Sequence, residues 1–198
     1  MFTALCPLVL ASASPRRQQF LRDLGLDFRI VLPGGEEPRP NPGELPASYV
    51  VRTARAKAAG TAPSCPGSAI VAADTIVVLG EAILGKPRDV AESVTMLESL
   101  SGRQHVVMTA VSVILPDGQQ EALCCESRVR FHAWPRSFLE AYARSGEPMD
   151  KAGGYAVQGL GSFLVDSIEG SWTNVVGLPL SELVEILIRC RVLAVRKA

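Results

Sequence analysis

Apolar residues near the start of the chain form a short continuous run and then recur at helical spacing. The run from Leu8 to Ala11 predicts a buried strand. Ser14 and Pro15 suit the N-cap and the first position of a helix, whose apolar face extends to Leu24 before Gly25 ends it. We therefore expect a strand that leads directly into an amphipathic helix.

The same two patterns predict further elements. Segments with the spacing or end signals of helices are 47–60, 90–100, 137–144 and 181–193. Segments with strand character are 68–80, 105–115 and 121–134, the last two as an antiparallel ribbon. The first of these is a continuous apolar run typical of a strand buried on both faces, and we expect Asp74 at its end.

Two stretches rich in proline or glycine separate these elements. Residues 32–46 predict a long loop, and residues 146–179 predict strand and loop punctuated by glycine. Helices interleaved among parallel-type and antiparallel strands indicate an α/β protein with a mixed sheet. The 198 residues suffice for a full core, and we expect one domain over 1–198 built as two lobes.

Composition and charge exclude several classes of function. The 20 basic and 20 acidic residues give zero net charge, so no general attraction to nucleic acid or to a membrane surface is expected. No apolar run approaches the length of a membrane span. Five cysteines without disulfide-like spacing indicate a reducing, cytoplasmic location. Two distant histidines argue against zinc, which leaves an oxygen-ligated ion such as magnesium.

The start of the first helix is the first candidate site. Arg16 and Arg17 fall in its first turn, where the helix dipole is positive and a cation is disfavoured. With Ser12 and Ser14 they would suit a bound phosphate chain, which supplies the missing negative charge. The alternative is an exposed helix start with two solvated arginines.

The second candidate is Asp74 with Thr75. A carboxylate at the end of a buried strand lies where open α/β sheets bind ligands, and it would serve as a general base or a metal ligand. The alternative is an aspartate that caps a turn.

Other candidates are individually weaker. Lys86 lies on a turn beside Pro87 and offers a point charge for a phosphate, although exposed turn lysines are common. Lys151 follows Asp150 in a glycine-rich stretch that is also consistent with an ordinary hairpin or bulge. In the same stretch Gln158 offers an amide able to pair with the edge of a base.

Taken together, these side chains match a metal-bound polyphosphate and an activated water. The cations are Arg16, Arg17, Lys57, Lys86 and Lys151, and the carboxylates are Glu37 and Asp74. A Walker-type loop and a GxSxG nucleophile motif are both absent from the sequence.

Six segments in order resemble the Maf family of nucleoside triphosphate pyrophosphatases. They are ASASPRRQ, AADTIVVLG, LGKPRD, LSGRQHVVMTAV, SGEPMDKAGGYAVQGLG and NVVGLPL, between Leu10 and Leu180. The resemblance implies an elongated, twisted mixed sheet flanked by helices, similar to the inosine triphosphate pyrophosphatases, with a cleft between two lobes. It also implies a cytoplasmic, often dimeric enzyme that needs a divalent cation, Mg²⁺ or Mn²⁺.

The activity implied by this resemblance is hydrolysis between the α- and β-phosphates of a nucleoside triphosphate, a house-cleaning reaction. Asp74 matches the family's proton acceptor. Arg17, Thr75 and Gln158 match the positions that mark the subgroup preferring dTTP and UTP. Glu37, Lys57 and Lys86 match other residues of the cleft.

Several alternatives stay open at this point. Glu37 and Asp74 are both candidate metal ligands, Asp74 is a base or a ligand, and Glu36 competes with Glu37 for the cleft position. A nucleotide-binding regulator of septum formation is the rival from another class. A pyrophosphatase that prefers purines or 7-methyl-GTP is the enzymatic rival.

Overall fold

The computed structural model describes residues 1–34 and 38–196. The strands are β1 Phe2–Ala4, β2 Leu8–Leu10, β3 Arg29–Ile30, β4 Ala69–Leu79, β5 Ala82–Leu84, β6 Gln104–Ile114, β7 Gln120–Phe131, β8 Val165–Glu169 and β9 Leu193–Val195. The α-helices are α1 Pro15–Asp23, α2 Pro46–Thr61, α3 Val90–Leu100, α4 Arg136–Arg144, α5 Trp172–Val176 and α6 Leu180–Arg189. Short 3₁₀ turns cover Ala62–Ser64, Glu147–Asp150, Ala152–Gly154 and Gly159–Leu164.

A mixed sheet organises most of these elements. Its strand order is β3-β2-β4-β6-β7-β8, and β5 pairs with β4. Strand β2 is parallel to β3 and β4, whereas β5 is antiparallel to β4 and β8 is antiparallel to β7. A separate two-stranded sheet joins β1 and β9. The predicted fold class, a mixed sheet with interleaved helices, is confirmed.

The chain divides into two compact units, each with its own apolar core. Unit 1 is Met1–Asp74, Thr109–Cys125 and Gly177–Ala198, and unit 2 is Thr75–Met108 and Glu126–Val176. The core of unit 1 includes Val9, Ala11, Ala58, Cys65, Ile70 and Ala72. The core of unit 2 includes Leu97, Leu100, Phe131, Leu139 and Leu164.

Helix α1 forms where the sequence predicts it. Pro15 begins the helix and Ser14 takes the extended N-cap conformation. Within the described residues the Ser14 side chain makes no capping hydrogen bond, and its N–H donates instead to Ser12 Oγ at 3.2 Å. Gly25 follows the helix with a φ of +71°, a conformation that glycine adopts without strain.

The prediction that Asp74 ends a strand is wrong. Strand β4 continues to Leu79, so Asp74 lies near its middle. Strand pairing uses backbone groups, and the apolar run resumes at Ile76–Val78, which is buried. A single polar side chain with a partner therefore does not terminate the strand.

Helix α3 has the predicted start. The Asp89 carboxylate accepts the Glu92 N–H at 2.8 Å. In return, Glu92 accepts the N–H of Arg88 at 2.6 Å, one residue before the N-cap at which a capping box normally closes. The two carboxylates thus satisfy N–H groups on both sides of the helix start.

The C-terminal helix is shorter than predicted. It ends at Arg189 rather than continuing to Leu193, because Arg191 adopts a left-handed φ of +55°. The chain after this turn forms β9, which pairs antiparallel with β1. Neither of these short strands was predicted.

His105 is a buried base within the core of unit 2. Its Nε2 lies 2.8 Å from the Tyr155 hydroxyl, and its ring packs edge-on against Phe131. The residue is 2% exposed, and this burial lowers the pKa of His105 from 6.5 to about 4. The histidine is therefore neutral at pH 7.

We predict that stability falls on acidification because of His105. Below its ordinary pKa of 6.5 the unfolded chain binds a proton at this position, whereas the folded protein does not until about pH 4. The free energy of unfolding should therefore drop by about 2 kcal/mol between pH 7 and 4.5 on account of this residue. In His105→Gln this part of the decrease should be absent when the free energy of unfolding is measured with urea at the two pH values.

The matched control for this measurement is His132→Gln. His132 is the other histidine of the chain and its side chain is 53% exposed, so this variant keeps the buried His105 and should keep the component of acid sensitivity assigned to it. Equal acid sensitivity in His105→Gln and the unmodified protein would contradict the assignment.

Candidate active site

Arg17 connects three segments of unit 1. Its Nε donates to the Gly177 carbonyl at 2.7 Å, and its Nη1 donates to the Ala73 carbonyl at 2.8 Å and to Ser12 Oγ at 3.2 Å. These acceptors belong to the segment before α6, to β4 and to the loop after β2. The guanidinium fork thereby ties the start of α1 to the strand that carries Asp74.

That a bound anion offsets the charge of both arginines stays a prediction, and Arg17 already has other partners within the described residues. Its partners include carbonyl and hydroxyl oxygens, whose dipoles solvate the charge at the helix start. Arg16 differs, because its half-buried side chain has no hydrogen bond or ion pair to the part of the chain that the structure describes.

An ion pair lies beside this cluster. Lys57 Nζ on α2 is 2.6 Å from Asp74 Oδ1 on β4, and the two side chains are 19% and 7% exposed. Since Ala73 accepts from Arg17, the carboxylate directly follows a residue bound to a second cation. A carboxylate in this position can accept a proton or bind a cation once the ammonium moves away.

Asp74 is the carboxylate of this cluster that could hold a metal ion. No group of three His, Cys, Asp or Glu side chains that could hold a metal occurs among residues 1–34 and 38–196. Mg²⁺ in phosphate chemistry commonly takes one or two carboxylates and completes its shell with substrate oxygens and water. Asp74 meets that requirement, whereas Glu36 and Glu37 lie outside the described residues.

Unit 2 carries the other predicted residues. Thr75 follows Asp74 in β4 and is half-buried, and Lys86 is exposed in the loop after β5. Lys151 donates to the Asp150 carboxylate at 2.5 Å and to the Glu147 carbonyl at 2.6 Å. Gln158 is half-buried, immediately before the 3₁₀ turn Gly159–Leu164.

The structure thus brings part of the predicted set together. Ser12, Arg17, Lys57 and Asp74 converge in unit 1, and the Ser14 N–H binds Ser12. In unit 2, Lys151 is bound to Asp150 and not to the other predicted residues of that unit, which are Lys86, Gln158 and Thr75.

Glu147 and Tyr142 were missed by the sequence analysis. The Glu147 carboxylate accepts the Tyr142 hydroxyl at 3.0 Å and the N–H groups of Leu160 and Gly161 at 2.9 and 3.0 Å. Burial acts to raise the pKa of Glu147, but the bonds from Gly161, Leu160 and Tyr142 outweigh it and lower the pKa. Apart from the bond between the two side chains, the donors are backbone N–H groups 13 or 14 residues away, which no local pattern reveals.

Cys125 is not a reactive thiol. All five cysteines lie within the described residues and are free thiols. Burial, with a further contribution from Glu182, raises the pKa of Cys125 to about 12, so its thiol stays protonated at pH 7.

None of the helices in the described part of the chain has the length and apolar character needed to cross a membrane.

Known proteins resemble this chain over nearly its whole length. A family model described as Maf-like protein matches residues 7–190. A dTTP/UTP pyrophosphatase of Nitratidesulfovibrio vulgaris is 50% identical over 188 residues, covering 95% of this chain and 90% of that protein. A dTTP/UTP pyrophosphatase of Myxococcus xanthus is 50% identical over 182 residues, covering 92% of this chain and 91% of that protein.

Solved structures share the fold. A HAM1 protein from Coxiella burnetii aligns over 93% of this chain and 100% of its own, with a TM-score of 0.50 and 19% sequence identity.

We predict that the cation at position 57 stabilises unit 1. Lys57→Met removes the ammonium from beside a carboxylate that is 7% exposed, and it should lower the free energy of unfolding by about 2–4 kcal/mol. Combining it with Asp74→Asn should restore part of that loss, because the buried charge is then also removed. Urea unfolding measures both variants.

Lys86→Met is the matched control for Lys57→Met. Lys86 is exposed, so its loss should change stability by no more than about 0.5 kcal/mol. If both substitutions lowered the free energy of unfolding equally, the ion pair between Lys57 and Asp74 would make no specific contribution to stability.

Proposed function

Since this chain belongs to the Maf family, we propose that it hydrolyses dTTP and UTP to the nucleoside monophosphate and pyrophosphate. The observation that carries the proposal is the Asp74 carboxylate inside β4, with the Lys57 ammonium at 2.6 Å and Arg17 bound to the preceding carbonyl. A carboxylate beside cations is what a water-activating site for phosphate chemistry requires.

Asp74 is assigned the role of proton acceptor. A water oxygen forms a bond to the α-phosphorus while the bond to the oxygen bridging the α- and β-phosphates breaks. That bridging oxygen leaves with its electron pair as part of pyrophosphate, and the proton of the water passes to Asp74. The carboxylate must lie within hydrogen-bond reach of that water.

The basic side chains bind and stabilise the phosphates in this proposal. Lys57 stands 2.6 Å from Asp74, so phosphate oxygens that draw its ammonium away would release the carboxylate for the water. Arg16 and Arg17, with Ser12 and Ser14, bind phosphate oxygens at the start of α1. Lys86 and Lys151 are assigned to the developing charge on pyrophosphate.

A divalent cation, Mg²⁺ or Mn²⁺, is part of the proposed reaction. Asp74 and Glu37 would hold it together with phosphate oxygens, and when bound it would neutralise phosphate charge. Glu36 is the alternative to Glu37.

Base selection is assigned to Gln158 and Thr75. The glutamine amide carries both a donor and an acceptor, as required to pair with the edge of thymine or uracil. The relatives in Nitratidesulfovibrio vulgaris and Myxococcus xanthus carry the name dTTP/UTP pyrophosphatase, so the regulator and the purine or 7-methyl-GTP alternatives are not favoured.

The proposal also covers the domain organisation, the cellular location and the partners of the enzyme. We propose that residues 1–198 act as one catalytic domain in the cytoplasm, where five free thiols persist. A homodimer without nucleic-acid or membrane partners and a house-cleaning role in the nucleotide pool complete the proposal.

Asp74→Asn tests the catalytic assignment. With Mg²⁺ or Mn²⁺ and a panel of dTTP, UTP, CTP, ATP, GTP, ITP and 7-methyl-GTP, the unmodified enzyme should release pyrophosphate fastest from dTTP and UTP. The variant should lose at least about a hundredfold in kcat while it still binds UTP by calorimetry.

Asp117→Asn is the control for that variant, because Asp117 lies on an exposed turn. Near-normal turnover by Asp74→Asn would remove Asp74 from the catalytic role. Tight binding of UTP by the unmodified protein without cleavage of any nucleotide would favour the regulator.

Gln158→Ala tests the specificity assignment. It should lower the preference for UTP over CTP by about tenfold, since a lost pair of hydrogen bonds changes discrimination by that order. Gln119→Ala, at an exposed hairpin position, should leave the preference unchanged. An unaltered ratio in Gln158→Ala would exclude Gln158 from base recognition.

A further inference from the structure

The segment around Gln158 is anchored on both sides by one pair of side chains. Before it, the Ala156 N–H donates to the Tyr142 hydroxyl at 3.1 Å. After it, the N–H groups of Leu160 and Gly161 donate to the Glu147 carboxylate at 2.9 and 3.0 Å. The Tyr142 hydroxyl in turn donates to Glu147 at 3.0 Å, so the two anchors form one continuous network.

Two glycines permit this close approach. A Cβ atom at Gly159 would lie 2.8 Å from Glu147 Oε2, and the φ of Gly159 is +76°. A Cβ at Gly161 would overlap the Tyr142 hydroxyl and lie 2.6 Å from the Ala156 carbonyl oxygen. A Cβ atom closer than 3.0 Å to another atom would force one of the two to move. The backbone at these two glycines therefore packs directly against Tyr142 and Glu147.

Glu147 also reaches Lys151 through its backbone. Its carbonyl accepts the Lys151 ammonium at 2.6 Å, and the Lys151 side chain is only 12% exposed. The same residue therefore holds a proposed phosphate-binding lysine by its main chain and the Gln158 segment by its side chain.

We propose that Glu147, together with Tyr142, is a positioning residue that sets the selectivity for the base by fixing the peptide groups on either side of Gln158. This rests on the proposed function, and in particular on base recognition by Gln158.

A fixed backbone is needed because a glutamine distinguishes the two pyrimidines only when the orientation of its amide is fixed. Uracil and thymine present an N–H and a carbonyl oxygen on their pairing edge, and cytosine presents the reverse arrangement. A freely turning amide could pair with either edge, since its donor and acceptor are symmetrically placed. Peptide groups held in a hydrogen-bonded segment cannot turn over, so they can fix the orientation of the Gln158 amide and thereby reject the wrong base.

The variants Glu147→Ala, Glu147→Gln and Tyr142→Phe test the proposal. Glutamine keeps one acceptor oxygen, and phenylalanine keeps the packing of the ring. We expect the ratio of kcat/KM for UTP over CTP to fall about tenfold in Glu147→Ala and by a smaller factor in the other two. Most of the loss on UTP should appear in KM rather than in kcat.

Two further measurements separate positioning from a general structural role. Inhibition by inorganic pyrophosphate, which has no base, should keep its inhibition constant within about twofold. Glu140→Gln is the matched control, because Glu140 is a half-buried glutamate of α4 that pairs with Arg136 and Arg144. This control should keep the UTP preference of the unmodified enzyme.

The outcomes are distinct. An unchanged UTP-to-CTP ratio in folded Glu147→Ala and Tyr142→Phe overturns the inference while the proposed function stands. An equal loss on every nucleotide, accompanied by weaker pyrophosphate inhibition, also overturns it, because Glu147 then acts only on stability. If Glu147→Ala does not fold, Tyr142→Phe decides the question. Failure of the unmodified enzyme to cleave any pyrimidine triphosphate overturns the proposed function and the inference together.

Discussion

The guanidinium of Arg17 is the interaction on which unit 1 depends. It joins the start of α1 to β4 and to the Gly177 carbonyl, a residue 160 positions away in sequence. These bonds therefore fix the position of the helix start. A lysine could not replace this fork, because a single ammonium lacks the fixed geometry that reaches three acceptors.

Lys57 and Asp74 illustrate the complementary arrangement, in which opposite charges offset each other. A carboxylate that is 7% exposed is costly to bury, and the ammonium at 2.6 Å makes its place inside β4 tolerable. Under the proposed function the same contact couples binding to chemistry, since a polyanion competes with Asp74 for the lysine. Binding of the substrate would then free the Asp74 carboxylate from Lys57. In the empty site the carboxylate stays paired with the lysine.

Local signals in the sequence predicted much of the fold and part of the site. Helices α1 and α3 were predicted because Pro15 and Asp89 act through neighbours a few residues away. Strands β1 and β9 were missed because three-residue strands exist only through a distant partner. Arg17 was identified by its unfavourable position at a helix start, but its acceptors include carbonyl oxygens, which every residue possesses and no sequence pattern marks. The Glu147 network was missed for the same reason.

The contact between Gly159 and Glu147 also constrains the order in which this sequence can change during evolution. A side chain at position 159 would meet the Glu147 carboxylate, whose carbon and second oxygen lie 3.4 and 3.5 Å from the added atom. The Glu147 carboxylate must therefore shift, or residue 147 must become shorter, when position 159 gains a side chain. The left-handed backbone there would still favour asparagine or aspartate among the substitutes. The two positions form an epistatic pair, in which a substitution harmful in one background is tolerated in another.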